Sequence, residues 1–432
     1  MDRDNSAALT GNGHAFEGTP PRQAEAGSAG GRIPLWAMLA ALSAVAAMSQ
    51  AFRTVATLFA GELKLEFGAS TQEIGLFAGA FHLSFALAQI PIGVALDLFG
   101  PRRTVCAAFL LACLGALGSA LAPNLPVLIA SQVLIGVGCA PAFIGAIVFV
   151  TNRYPASQFA RLSGLVLSFS GIGMLMTGTP LALVVETWSW RAGFLALAGI
   201  SILVLAATIL LVRDEAPAPG RSRSGLLDAF VKVGPLLAKR HSLGILLLGG
   251  VSYASFLTLR GLWAVPMLME RHGFSLVVSG HVMLATSVAA LLGPPAFGLL
   301  RPGNRGRRTW IIAGAALCIA AFAALAGQTS SLIDVAAVVL LGFMTGYFIL
   351  QYADVRAAYA EEVAGRAFAI FNTAIFLGVA VMQWLTGLVG SVAAAQEADP
   401  FTPVFVVIIV LLAAGIASFV LLPWPRGKGW ER

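Results

Sequence analysis

The sequence predicts an all-α membrane protein, with twelve transmembrane helices in two pseudo-symmetric six-helix bundles. Three observations carry that expectation. Of the 432 residues, 58% are hydrophobic and 11% charged, with a mean hydropathy of +0.86, whereas a soluble domain carries roughly 25% charged residues. A span needs about 20 apolar residues to cross about 30 Å of hydrocarbon, so a chain of this length holds about twelve. The chain also repeats itself: Gly93-Val-Ala-Leu-Asp-Leu-Phe-Gly-Pro-Arg-Arg-Thr104 is echoed 205 positions later by Gly298-Leu-Leu-Arg-Pro-Gly-Asn-Arg-Gly-Arg-Arg-Thr309. The same offset superimposes Arg161 on Arg366 and Gly173 on Gly378. Internal symmetry inside an apolar chain points to a transporter.

Taken in order, residues 1–33 are rich in Gly, Ala, Ser and Pro without an apolar core, and read as a disordered tail rather than a signal peptide. Apolar runs broken by Gly, Pro and charge then place spans near 34–60, 71–98, 103–122, 126–151, 159–185 and 190–212, the first bundle being 34–213. A polar linker over 214–241 follows, and six more spans fall near 242–269, 275–300, 308–327, 331–353, 364–391 and 402–423, the second bundle being 242–424 and the tail 425–432.

Charge sets the orientation. With both termini cytoplasmic, about 22 of the 27 Lys and Arg fall inside, against three outside, Lys64, Arg191 and Arg271. The +7 net charge is therefore a topology signal of a multi-pass protein of the bacterial inner membrane, and no nucleic-acid partner is implied. Cys106, Cys113, Cys139 and Cys318 lie in apolar runs with no paired spacing, which fits buried side chains.

Arg53 and Arg260 remain inside spans, about 19 and 18 residues in, at positions the repeat relates within a residue or two. A central arginine costs roughly 2.5 to 3.5 kcal/mol on insertion scales. The acids fall in loops or at span ends, so no internal carboxylate is at hand, and an anion arriving from water is the expected partner. A planar guanidinium suits carboxylate, phosphate or nitrate. At helical spacing from the arginines stand Gln50, Tyr253 and Trp263; His82 and Gln89 share a face of the second span, and Asn372 precedes Thr373, which the repeat pairs with Ser168. Substrate binding is expected from Arg53, Arg260, Gln50, His82, Gln89, Tyr253, Trp263 and Asn372. With no embedded Asp or Glu to carry a proton, exchange or facilitated movement is favoured over proton symport.

Gly93, Asp97, Gly100, Arg102 and Arg103 resemble the loop-2/3 signature of the major facilitator superfamily, a likeness extending over nearly the whole chain after residue 33. The resemblance implies two bundles rocking around a central site by alternating access. It also implies a cytoplasmic gate, in which Gly93 lets helices approach and Asp97 faces a helix N-terminus of the other half. The family's organophosphate/phosphate antiporters place an arginine in the first and the seventh span, which maps here onto Arg53 and Arg260. Departures exist. Pro302 replaces the acid in the second loop, Gln132 stands where the fourth-span arginine is expected, and Thr179 breaks the Gly-Pro pair of drug/proton antiporters, although Gly136, Gly138, Gly173, Gly178 and Pro180 are present. The nitrate carriers' arginine positions are held by His82 and His281.

The functional expectation is a monomeric secondary transporter of a small organic anion, carboxylate or organophosphate, needing no cofactor. The alternatives are a drug carrier, a copper-type carrier using Met267, Met269, His272, His281 and Met283, and a non-transporting membrane sensor. No paired acids, His-Glu-x-x-His motif or nucleophile beside a base suggests an enzyme.

Overall fold

The computed structural model describes residues 33–213, 240–300, 304–328, 330–358 and 361–422. Pro302, most of the central linker and nearly all of both tails lie outside the described residues, as do the side chains of Asp97 and Arg366. Among the described residues every regular element is helical, and twelve helices are long and apolar enough to span a membrane. They are α1 (Leu35–Phe52), α2 (Thr71–Leu96), α3 (Leu98–Ala120), α4 (Leu125–Arg153), α5 (Arg161–Thr187), α6 (Trp190–Leu211), α7 (Ser242–His272), α8 (Leu276–Leu299), α9 (Gly306–Ala326), α10 (Ser331–Val355), α11 (Ile370–Ala395) and α12 (Phe401–Leu421). Helices satisfy their backbone groups internally, which hydrocarbon demands. Spans alternate in direction, so both ends of the described chain lie on one face, called proximal here; the opposite face is distal.

Several spans are broken. After Phe52 the chain turns irregularly over 53–55 and resumes as a helix over Ala56–Phe67. α5 breaks around Thr177 and Gly178, the latter at φ −92° and ψ −129°, before Thr179–Thr187. α7 contains a π-helical turn over Leu259–Trp263. In α4 the helix pauses at Ala140 and Pro141, and Gln89 Nε2 donates to the Ala140 carbonyl at 3.4 Å. Interruptions of this kind in membrane helices are tolerated where neighbouring groups re-satisfy the backbone, and they cluster at functional places.

Near the start of α3 the chain kinks at Gly100, whose φ of 80° is a conformation that suits a residue without Cβ, and regular helix resumes at Pro101. The paired basic residues then tie down the proximal ends. Arg102 Nη2 donates to Ile209 O of α6 at 2.9 Å, and in the second half Arg308 Nη2 donates to Phe419 O of α12 at 2.8 Å. Arg307 Nε donates to Asp354 Oδ1 at 3.0 Å in a buried pair. The close helix approach expected at Gly93 is not made here: a Cβ built there meets nothing within 4 Å.

On the distal face each half ties a basic residue to an acid. Arg191 binds Glu66, Arg271 binds Asp399, and Lys64 reaches Glu270 of the other half at 3.5 Å. Asp399 also accepts from the Thr402 amide at 2.8 Å and from Gln328 at 3.1 Å. Burial alone would raise its carboxyl, but the Arg271 and Thr402 hydrogen bonds bring it from 3.8 down to about 2.

Among the described residues, the tight cross-bundle approaches run from mid-membrane to the distal ends. A Cβ built on Gly75 of α2 would stand 2.7 Å from the Gln383 carbonyl oxygen and 2.9 Å from the Gly387 Cα of α11, so these backbones touch without side chains between them. Thr57 Oγ1 accepts from the Val265 amide at 3.3 Å, His281 Nδ1 pairs with Thr179 Oγ1 at 2.7 Å, and Glu186 accepts from the Val277 amide at 3.1 Å. The seam is shut on the distal side.

Candidate substrate site

The residues expected to bind substrate separate into two environments. Arg53 sits at the end of α1, where the helix loosens, and its guanidinium carbon lies 4.6 Å from the ring centroids of both Phe85 on α2 and Phe376 on α11. Its Nη1 donates to Gln50 Oε1 at 3.0 Å and its Nη2 to Ser49 Oγ at 3.3 Å, while the buried Nε has no partner among the described residues. The residue is partly exposed, and the shut seam leaves the proximal side as its approach. The two ring centroids are themselves only 4.5 Å apart, so the rings form one aromatic pair on one side of the guanidinium, a cation–π contact that leaves N–H groups of the planar fork for an anion.

Around this ring pair the aromatic surface continues. Tyr253 of α7 meets Phe376 edge-on at 5.8 Å and Phe348 at 5.3 Å, and the His82 ring stacks on Phe376 at 6.5 Å. Asn372 accepts from the Tyr352 hydroxyl at 3.3 Å, and Gln351 Nε2 donates to Ser252 Oγ at 3.0 Å. Arg53, Gln50, Tyr253 and His82 are thus brought together through Phe376, with Asn372 on the same helix as that ring.

Other expected residues are occupied elsewhere. His82 is buried with Nδ1 3.2 Å from Ala78 O of its own helix, and its Nε2 has no partner among the described residues. Trp263 donates Nε1–H to Thr386 Oγ1 at 3.0 Å and packs edge-on against Phe401 inside the second bundle. Gln89 serves the α4 break described above. Arg260 is fully buried, and its Nη2 reaches across the seam to α5: Met174 O at 3.2 Å, Thr177 O at 3.4 Å and Thr177 Oγ1 at 3.2 Å, with Ser287 Oγ at 3.3 Å. Among the described residues neither Arg53 nor Arg260 is paired with a carboxylate.

The soft-ligand cluster does not assemble. His272 Nε2 is taken by Asp334 at 2.9 Å and His281 by Thr179, and no group of three metal-ligating His, Cys, Asp or Glu residues occurs among the described residues. Sequence reasoning missed Phe85, Phe376 and Phe348, because phenylalanine is ordinary filler in a span and only the fold shows two rings closing on one guanidinium. It also missed Ser49, one turn before Arg53, and Tyr352, which stands 20 residues from its partner Asn372.

Twelve spans in two halves, meeting around a partly exposed cation with one side shut, define a membrane transporter. The chain belongs to the Major Facilitator Superfamily, whose family model matches residues 39–383. It is 26% identical over 387 residues to the D-galactonate transporter of Escherichia coli O6:H1 (strain CFT073), covering 83% of this chain and 88% of that protein. It is 22% identical over 395 residues to the probable L-galactonate transporter of Escherichia coli (strain K12), covering 83% of each. Among solved structures it resembles the D-xylose-proton symporter (TM-score 0.70, 14% identity, 92% of this chain and 100% of that one). It also resembles a bacterial homolog of human Spinster in an inward-facing conformation (TM-score 0.71, 18% identity, 91% and 97%). At these identities the solved structures speak for the fold alone.

Proposed function

We propose that this transporter moves a hydroxylated monocarboxylate of the sugar-acid class, with Arg53 as the anchor of the carboxylate. The observation that carries the reading is the Arg53 guanidinium, partly exposed at the meeting of the two halves, packed against the Phe85–Phe376 ring pair and free of any carboxylate partner among the described residues. One accessible cation matches one negative charge. An organophosphate carries close to two charges at neutral pH, and the second arginine that could answer the other is turned into the seam in this conformation. That favours a carboxylate over the organophosphate class, and the galactonate transporters among the relatives support the same choice.

Gln50, Asn372 and Tyr253 supply amide and hydroxyl groups for a polyol chain, and the rings of Phe348 and Phe376 offer apolar faces to its C–H edges. Asp97, Gly93, Gly100, Arg102 and Arg103 form the proximal gate. The excess of Lys and Arg on proximal segments and the bacterial relatives support an inner-membrane placement with that face in the cytoplasm.

Thermal shift of the purified protein against galactonate, galacturonate, a hexose phosphate and neutral galactose tests the reading. The two sugar acids should raise the melting temperature and Arg53→Ala should abolish the rise. A rise with the hexose phosphate alone, or one that survives Arg53→Ala, overturns it.

A further inference from the structure

Three irregularities in three different helices meet at one point. The loosened turn of α1 (53–55), the break of α5 (Thr177 and Gly178) and the π-turn of α7 (Leu259–Trp263) are joined there by side chains. Thr54 Oγ1 lies 2.7 Å from Thr177 Oγ1, and Arg260 binds that same hydroxyl together with the Met174 and Thr177 carbonyls. Gly261, beside Arg260, would bring a Cβ to 3.1 Å from the Arg53 carbonyl oxygen. The point lies in the seam, since α1 and α5 belong to the first bundle and α7 to the second.

The chemistry of the pairing is specific. A break in a membrane helix frees carbonyls that must find donors. Met174 O and Thr177 O find theirs in a guanidinium from the opposite bundle, and Met174 O also accepts from Ser287 Oγ at 3.2 Å. Charge-assisted bonds to carbonyls in a buried seam are strong, and they exist only while the bundles are together on this side. The π-turn widens α7 by one residue where Arg260 leaves it.

We infer that Arg260 is a positioning residue that latches the distal side shut by capping the broken end of α5, and does not hold the solute as Arg53 does. Opening the distal side must pull Arg260 away from Met174 and Thr177, so its bonds bias the equilibrium toward the proximally open state. Through Thr177 and Thr54 the latch also touches the turn that carries Arg53, so the solute anchor and the distal closure share one junction. The inference goes beyond the sugar-acid reading and does not depend on which anion is carried.

Spin labels at Leu65 and Leu332, two exposed distal positions on opposite bundles, report the latch by pulsed electron–electron distance measurement in full-length protein whose four cysteines are replaced by Ala. Arg260→Ala should raise the long-distance, distally open population about tenfold. Arg260→Lys, which keeps the charge and one donating nitrogen in place of Nη2, should give a smaller rise. Thr177→Val removes one acceptor without touching the arginine and should shift the distances in the same direction, which guards against an Arg260→Ala protein that fails to fold. Anion binding to the purified Arg260→Ala protein, read with galactonate, should survive within a few-fold while transport in vesicles slows. Unchanged distances in Arg260→Ala and Thr177→Val, or binding lost with distances unchanged, overturns the latch. A failure of galactonate to bind any variant, the parent included, bears on the sugar-acid reading instead, and the distance shift still decides the latch.

Discussion

Arg53 and Arg260 occupy corresponding places in the two halves, about 18 residues into the first helix of each, yet one faces a partly open vestibule and the other is sealed in the seam. The difference lies in how each helix yields. α1 loosens at its arginine, whose guanidinium rests against the paired Phe85 and Phe376 rings. α7 stays helical but takes up a π-turn that carries its arginine across to α5. A duplicated sequence therefore fixes where a charge enters the membrane, whereas local helix geometry decides what that charge does. On the proposals made above, two equivalent positions are divided between cargo and closure.

The comparison is broken most severely at Arg53. Arg53→Ala should weaken sugar-acid binding about 100-fold, the scale of two charge-assisted hydrogen bonds, as isothermal titration would report; Arg53→Lys should recover only part, because a point charge lacks the fork. At the repeated proximal loops the halves differ again. Arg307→Ala removes the hydrogen-bonded partner of the buried Asp354 carboxylate and should cost about 3 kcal/mol of stability, against about 1 kcal/mol for Arg102→Ala, which gives up a hydrogen bond to the Ile209 carbonyl, both measurable as shifts in thermal unfolding. Removing one of the two rings beside Arg53, as in Phe376→Ala, should weaken binding roughly fivefold while leaving transport measurable, in keeping with a cation–π contact.

The smallest effect is one of pH, and it compares the distal ion pairs of the two halves. Asp399 in the second half is held down to about 2, below the ordinary 3.8, and Glu66 in the first half is likewise lowered by Arg191. A depressed carboxyl gives stability that is present above its ordinary value and lost as pH falls through the folded one. The Asp399 contribution should therefore fade between about pH 4 and pH 2, and Asp399→Asn should flatten the melting temperature across that window.

Much of the architecture was legible in the sequence, since hydropathy alone separates twelve runs and the repeated loop marks the two-fold relation. The span predicted at 308–327 becomes Gly306–Ala326, a shift of a residue or two at either end. Arg53 was legible as a mid-membrane cation without a carboxylate partner, and the fold keeps it partly exposed among the described residues. The latch was not, because it depends on carbonyls released by breaks in α5, and backbone acceptors leave no trace in residue identity. Gly178 and Pro180 signal that α5 bends, but not which side chain arrives to fill the gap. Trp263 and Gln89 were misplaced for a related reason: helical spacing tells which residues share a stripe, and cannot tell whether the stripe faces the vestibule or a neighbouring helix of the same bundle.

Gly75 and Gly387 place bare main chain against main chain where α2 crosses α11. No side chain stands between the two backbones at that point of closest approach, so they can roll over one another there with no knob to lift clear of a socket. A methyl group added at Gly75 would act as a shim under the bearing: it would hold the distal ends ajar permanently, and the carrier would be caught half-way through its stroke without any change to the pocket that receives its cargo.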